Sequence, residues 1–105
     1  MPRTMTWKNT ERAVAKRLGA RRVGPSGSST ADCVNDRLAV ECKHRKALPA
    51  WLLGAMSQAV GAARDGQLPV VVLHQAGSRR DNDLVVVRMR DWVEWYGDAE
   101  GLLGQ

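Results

Sequence analysis

At 105 residues the chain is one domain's worth of polypeptide, able to bury about 65% of its unfolded surface without staples. Sixteen Lys and Arg against eleven Asp and Glu leave a formal charge of +5, which suits a polyanionic partner, and two Cys and two His at spacings unlike any zinc module argue against structural zinc. No apolar run approaches the ~20 residues that span a bilayer and Met1 to Trp7 has no signal-peptide core, so the expectation is a cytoplasmic protein, in the host cytoplasm if phage-encoded.

Trp7 to Leu18 is expected to be helical, with Thr6 as N-cap and Gly19 as the C-terminal stop. Positions 7, 11, 14 and 18 share one face, and among Trp7, Val14 and Leu18 the odd member is Glu11. An unpaired buried carboxylate is costly, so Glu11 needs a metal, a metal-bound water or a basic side chain, unless it simply complements the helix dipole. Ala20 to Val23 can form a short strand with Arg21 and Arg22 on opposite faces, at least one of them solvated. The loop from Gly24 to Thr30 brings hydroxyls and glycine amides that suit a phosphate, or serves only as a connector; it lacks the Gly-Lys-Ser/Thr ending of a P-loop.

Asp32 to Lys43 reads as a β-hairpin. With Asp36-Arg37 as a two-residue turn, Asn35 faces Leu38, Val34 faces Ala39, Cys33 faces Val40 and Asp32 faces Glu41. Two carboxylates roughly 5 Å apart repel, and a divalent cation would remove the objection. Mg²⁺ takes one or two carboxylates and fills its other positions with water and phosphate oxygens, while Lys43, on the face of Glu41, can orient or deprotonate a bound water. The bland alternative is an exposed hairpin face with one Glu-Lys pair. Cys33 and Cys42 fall on the other face as diagonal neighbours about 7 Å apart, which favours free core thiols over a disulfide. His44-Arg45-Lys46 adds a cationic run where phosphate should collect.

A second helix is expected from near Leu48-Pro49 to before Gly66, with Leu48, Leu52, Ala55, Met56, Ala59 and Ala63 inward and Trp51, Gly54, Gln58 and Gly61 outward. Pro69 to Gln75 suits a central strand buried on both sides, and Leu84 to Met89 another strand. Arg79 and Arg80, in the loop between them, can grip backbone phosphates. Asp91 is expected to cap a last short helix whose Trp92, Val93, Trp95 and Tyr96 close the core or form a subunit contact.

This order of elements, with Glu11 on the first helix and Asp32 and Glu41-x-Lys43 on the hairpin, resembles the PD-(D/E)XK nuclease superfamily, and within it the archaeal-type Holliday junction resolvases. Ala31 stands where that family often has proline. The resemblance implies one nuclease domain over residues 1–105, an α/β restriction-endonuclease-like core with a central mixed β-sheet flanked by helices, in the order α-β-β-β-α-β-β-α. It implies that Glu11, Asp32 and Glu41 hold Mg²⁺, with Mn²⁺ as a substitute, and that Lys43 positions the attacking water. Ser28 or Ser29 would contact DNA and Gln58 would support the site, beside the basic residues Arg21, Arg22, His44, Arg45, Lys46, Arg79 and Arg80. The function so implied is Mg-dependent cleavage of four-way or other branched DNA by a homodimer. A general or nicking nuclease of phage or repair origin and a non-catalytic DNA-binding module are the alternatives.

Overall fold

A computed structural model gives the fold and describes residues 6–23 and 31–97. The chain divides into two compact units, Met1–Lys46 with Tyr96–Gln105, and Ala47–Trp95.

In the first unit, helix α1 spans Trp7–Arg17 and is set by its caps. The Thr6 hydroxyl accepts the Asn9 amide at 3.1 Å. At the other end Gly19, at φ 62°, turns the chain into the left-handed region, so that the Ala20 amide reaches the Ala15 carbonyl at 2.8 Å and the Gly19 amide faces that of Lys16 at 3.5 Å. This is the Schellman arrangement, and glycine makes it without strain. Glu11, Ala15 and Leu18 are buried, but Trp7 is half exposed, because it opens the helix and meets the side chains of Lys8 and Arg22 in place of a core.

Strands β1 (Arg21–Arg22), β2 (Cys33–Val34) and β3 (Ala39–Val40) form an antiparallel sheet with β2 in the middle. The ladder pairs Cys33 with Val40 and Val34 with Ala39, and the Asn35 amide closes the turn on the Leu38 carbonyl at 3.0 Å, as the hairpin reading requires. Asn35 anchors this turn twice over. Its Oδ1 accepts the Arg37 and Leu38 amides, each at 2.8 Å, and its Nδ2 donates to the Leu18 and Gly19 carbonyls, each at 3.2 Å, tying the turn to the end of α1. Cys33, fully buried, donates to the Glu11 carbonyl at 3.4 Å and seals helix against sheet.

In the second unit, α2 spans Ala50–Ala62, with Pro49 as its N-cap residue. Leu52, Ala55, Met56 and Ala59, with the C-cap Ala63, are partly covered while Trp51, Gly54, Gln58 and Gly61 are exposed, as the helical spacing predicts; Leu48, expected inward, precedes the helix and is half exposed. Strands β4 (Val71–Leu73) and β5 (Leu84–Val86) pair antiparallel around a 3-10 turn at Arg80–Asn82. His74 Nδ1 and Asp83 Oδ1, 2.5 Å apart, bridge the ends of this hairpin. Helix α3 spans Met89–Tyr96.

Three expectations are corrected here. Among the described residues the strands form two antiparallel sheets, of three and two strands, in place of one central mixed sheet, because each short strand takes its ladder partner from its own hairpin or meander. Only one face of β4 is covered: Val71 is buried, whereas Val72 and its partner Val85 are more than half exposed. Asp91 does not cap α3. The helix begins two residues earlier, and the buried Asp91 carboxylate instead accepts Arg88 Nε at 2.8 Å and Nη2 at 3.3 Å. The α/β class and the order α-β-β-β-α-β-β-α agree with the sequence reading.

Candidate metal and nucleic-acid site

The hairpin places Asp32 immediately before β2 and Glu41 immediately after β3, at the end of the ladder away from the turn. They do not face each other as a regular pair. The Asp32 amide donates to the Val40 carbonyl at 2.8 Å, so Asp32 and Cys33 both lie opposite Val40, the two-against-one count of a β-bulge. Like charges at adjacent positions then part, each toward its own partner. Asp32 Oδ2 accepts the Cys42 amide at 2.7 Å, and Glu41 Oε2 meets Lys43 Nζ at 3.0 Å. The Glu41 and Lys43 side chains are both more than half exposed, so their pair contributes at most about 1 kcal/mol and is free to rearrange.

Glu11 is occupied differently. Its Oε1 accepts Arg22 Nε at 2.8 Å in a largely buried ion pair, and the Arg22 guanidinium also lies 5.8 Å from the centre of the Trp7 ring. Of the partners open to Glu11 from sequence, the structure selects the basic side chain. Arg22 Nη2 is buried without a hydrogen-bond partner.

Cys33 and Cys42 are both free thiols, as the sequence reading favours. Burial raises both thiol pKa values, that of Cys42 to about 12; the neighbouring Cys33 and the Asp32 and Glu11 carboxylates add to the Cys42 shift. Both carboxylates therefore act electrostatically on one thiol pair, although they share no ligand.

Among the described residues no group of three or more His, Cys, Asp or Glu side chains converges as a metal cage. At the hairpin end Asp32 is held by the Cys42 amide and Glu41 by Lys43. Glu11 is paired with Arg22.

Of the residues assigned to DNA, Arg21 is exposed on β1, and Arg45 and Lys46 are exposed beyond the hairpin. Arg45 Nη1 donates to the His44 carbonyl at 3.0 Å. His44 is half-buried, its Nδ1 2.6 Å from the Thr10 hydroxyl of α1. Thr10 was not legible as a site residue, since its partner lies thirty-four positions away. Arg22 faces Glu11 and is not a free phosphate ligand in this arrangement. In the second unit Gln58 is exposed on α2, and Arg79 and Arg80 are exposed at the 3-10 turn. Ser28 and Ser29 lie outside the described residues.

Among the described residues no helix is long and apolar enough to cross a membrane. In comparisons with known proteins, no family model, curated protein or solved structure matches the chain.

Proposed function

We propose that the chain is a divalent-metal-dependent DNA endonuclease acting on branched DNA, four-way junctions foremost. The observation that carries this reading is the hairpin end, where Asp32 and Glu41 emerge from adjacent strands with Lys43 3.0 Å from Glu41 and the basic run 44–46 directly beyond. Asp32 and Glu41 would hold the ion. When bound, Mg²⁺ supplies Lewis acidity toward a phosphate oxygen and lowers the pKa of a coordinated water.

The chain's own groups do the rest. The Cys42 amide fixes the Asp32 carboxylate through Oδ2. An ammonium has three donors, so Lys43 keeps two for water and phosphate oxygen while one points to Glu41. Its charge stabilises the additional negative charge that builds on phosphate in the transition state. Arg21, Arg45 and Lys46 attract the DNA backbone, and each phosphate they neutralise releases counterions. The Glu11–Arg22 pair and the Cys33–Glu11 contact clamp α1 to the strands that carry the site.

A specific observation favours a second reading, a DNA-binding module without turnover: Arg22 fills the role at Glu11 that a cation would otherwise take. One assay separates the two. Four-way junction, duplex and single-stranded DNA are incubated with the protein, with and without Mg²⁺, and binding is measured alongside cleavage. Cleavage of the junction in Mg²⁺ alone is the expected result. Tight, salt-sensitive binding with no cleavage of any substrate would replace the nuclease by the binding module.

A further inference from the structure

Helix α1 carries its charge against its own stability. Lys16 and Arg17 suit the last turn, but Lys8 stands in the first, where the dipole favours an acid and the helix has none, and Lys8, Arg12 and Lys16 follow at four-residue spacing, so that like charges lie one turn apart. The acid of the helix, Glu11, is turned inward to Arg22. What α1 exposes is Trp7, Lys8, Arg12, Ala13, Lys16 and Arg17, four cations and no anion, and among the described residues none of the four meets a carboxylate. Arg12 Nη1 donates to the neutral Asn9 amide oxygen at 3.2 Å, and Lys8 Nζ lies 5.4 Å from the centre of the Trp7 ring. This is not the by-product of a chain basic throughout. Ala47–Trp95 has five Arg against five Asp and Glu, so the whole formal charge of +5 belongs to the unit built on α1.

We infer that the outer half of α1 is a second nucleic-acid surface, which takes the phosphate backbone of a duplex arm other than the one at the hairpin end. From Lys8 to Lys16 the helix rises about 12 Å, over which one DNA strand presents roughly three or four phosphates. A protein partner would need apolar anchors, in which this row is poor, and a membrane surface would need the apolar side of the helix, where Ala15 and Leu18 are already buried. Which arm it takes follows from the layering within the unit. Cys33 and His44 face α1, reaching the Glu11 carbonyl and the Thr10 hydroxyl. Exposure alternates along 41–45, with Glu41, Lys43 and Arg45 exposed and Cys42 and His44 partly covered, so Glu41 and Lys43 look away from α1. The cations of α1 look the opposite way, with the sheet and a helix about 10 Å across in between. A straight duplex reaches one of these faces at a time, whereas two arms of a branched DNA reach both. None of the four cations is among the residues that the nuclease resemblance assigns to DNA. This assignment of a second arm rests on the reading of the hairpin end as the cleavage site.

Fluorescence anisotropy of the full-length chain without Mg²⁺, across a salt series on a four-way junction and on a linear duplex, tests it. Cleavage is not read, so a chain that never cuts DNA still decides what α1 binds. Lys8→Gln with Arg12→Gln and Lys16→Gln keeps good helix formers on the exposed face. The triple variant should make the junction's salt slope shallower by about 2.7, three contacts' share, and weaken junction binding at ~0.1 M salt at least about tenfold, while the linear duplex, still held at the hairpin face, loses less than about threefold. Circular dichroism checks the fold, and Arg12→Gln alone, with an expected change of about 0.9 in slope, is the readout if the triple variant is not folded. Arg64→Gln removes the same charge from the electroneutral unit and should leave the slope unchanged. An unchanged junction slope in the α1 variants overturns the inference. So does an equal loss on junction and duplex, which would merge α1 with the hairpin face into one surface. Vesicles of phosphatidylcholine and phosphatidylserine are the last arm: binding to them that the triple variant loses, with DNA affinity kept, gives α1 to a membrane and overturns the inference too.

Discussion

Arg22 Nε lies 2.8 Å from Glu11 Oε1, and both side chains are largely withdrawn from water. The pair joins α1 to β1 across eleven positions of sequence and sets the face of the helix that meets the sheet. Removing either partner leaves a buried charge without compensation, which costs about 3 kcal/mol in comparable pairs. Glu11→Gln and Arg22→Leu should each lose about that much in urea denaturation. The double substitution Glu11→Leu with Arg22→Met should recover most of it, because two apolar side chains need no counter-charge. Equal losses in the single and double variants would show that the pair is not what holds α1.

Asp32→Asn keeps an oxygen able to accept the Cys42 amide, so the hairpin should survive the change. It removes one carboxylate of the proposed site and, on that proposal, a negative charge that would face phosphate. Cleavage should fall by at least about 100-fold, close to 3 kcal/mol in the barrier, while DNA affinity is kept or improved. A variant that cuts at the wild-type rate would remove Asp32 from the proposed site.

Arg45 is exposed beyond the hairpin and Arg80 at the 3-10 turn of the second unit. Log affinity for duplex DNA should fall linearly with log salt, and Arg45→Ala or Arg80→Ala should each make the slope shallower by about 0.9, one phosphate contact's share. Fluorescence anisotropy across a salt series reads this directly. An unchanged slope in both variants would place the DNA on another surface.

The Cys42 thiol is raised from 9.0 to about 12, chiefly by burial and then by Cys33 and the two carboxylates. The folded protein therefore keeps a proton that the unfolded chain releases near pH 9. That contribution to stability is complete below pH 9 and is lost as pH rises from 9 through 12, because over that window the unfolded state binds fewer protons. Denaturation midpoints should fall across the window, and Cys42→Ala should flatten the fall. At pH 8 iodoacetamide should modify Cys42 slowly in the folded protein and quickly after unfolding.

Much of the local structure was legible in the sequence because it depends on groups a few residues apart. Thr6 caps Asn9, Gly19 ends α1 and Asn35 closes the Asp36-Arg37 turn, each through a bond spanning no more than five positions. The same short-range logic predicted the Cys33–Val40 and Val34–Ala39 register and the outward face of α2. Partners beyond that range were decided by the tertiary structure. Alternation along an ideal strand sets Asp32 against Glu41, but the bulge at Val40 turns Asp32 to the Cys42 amide. Glu11 could be recognised from its helical face as a carboxylate in need of a partner, yet only the packing of α1 on β1 selects Arg22. Periodicity says which way a side chain points; which of several suitable groups it meets depends on how two elements pack, and no local pattern encodes that distance.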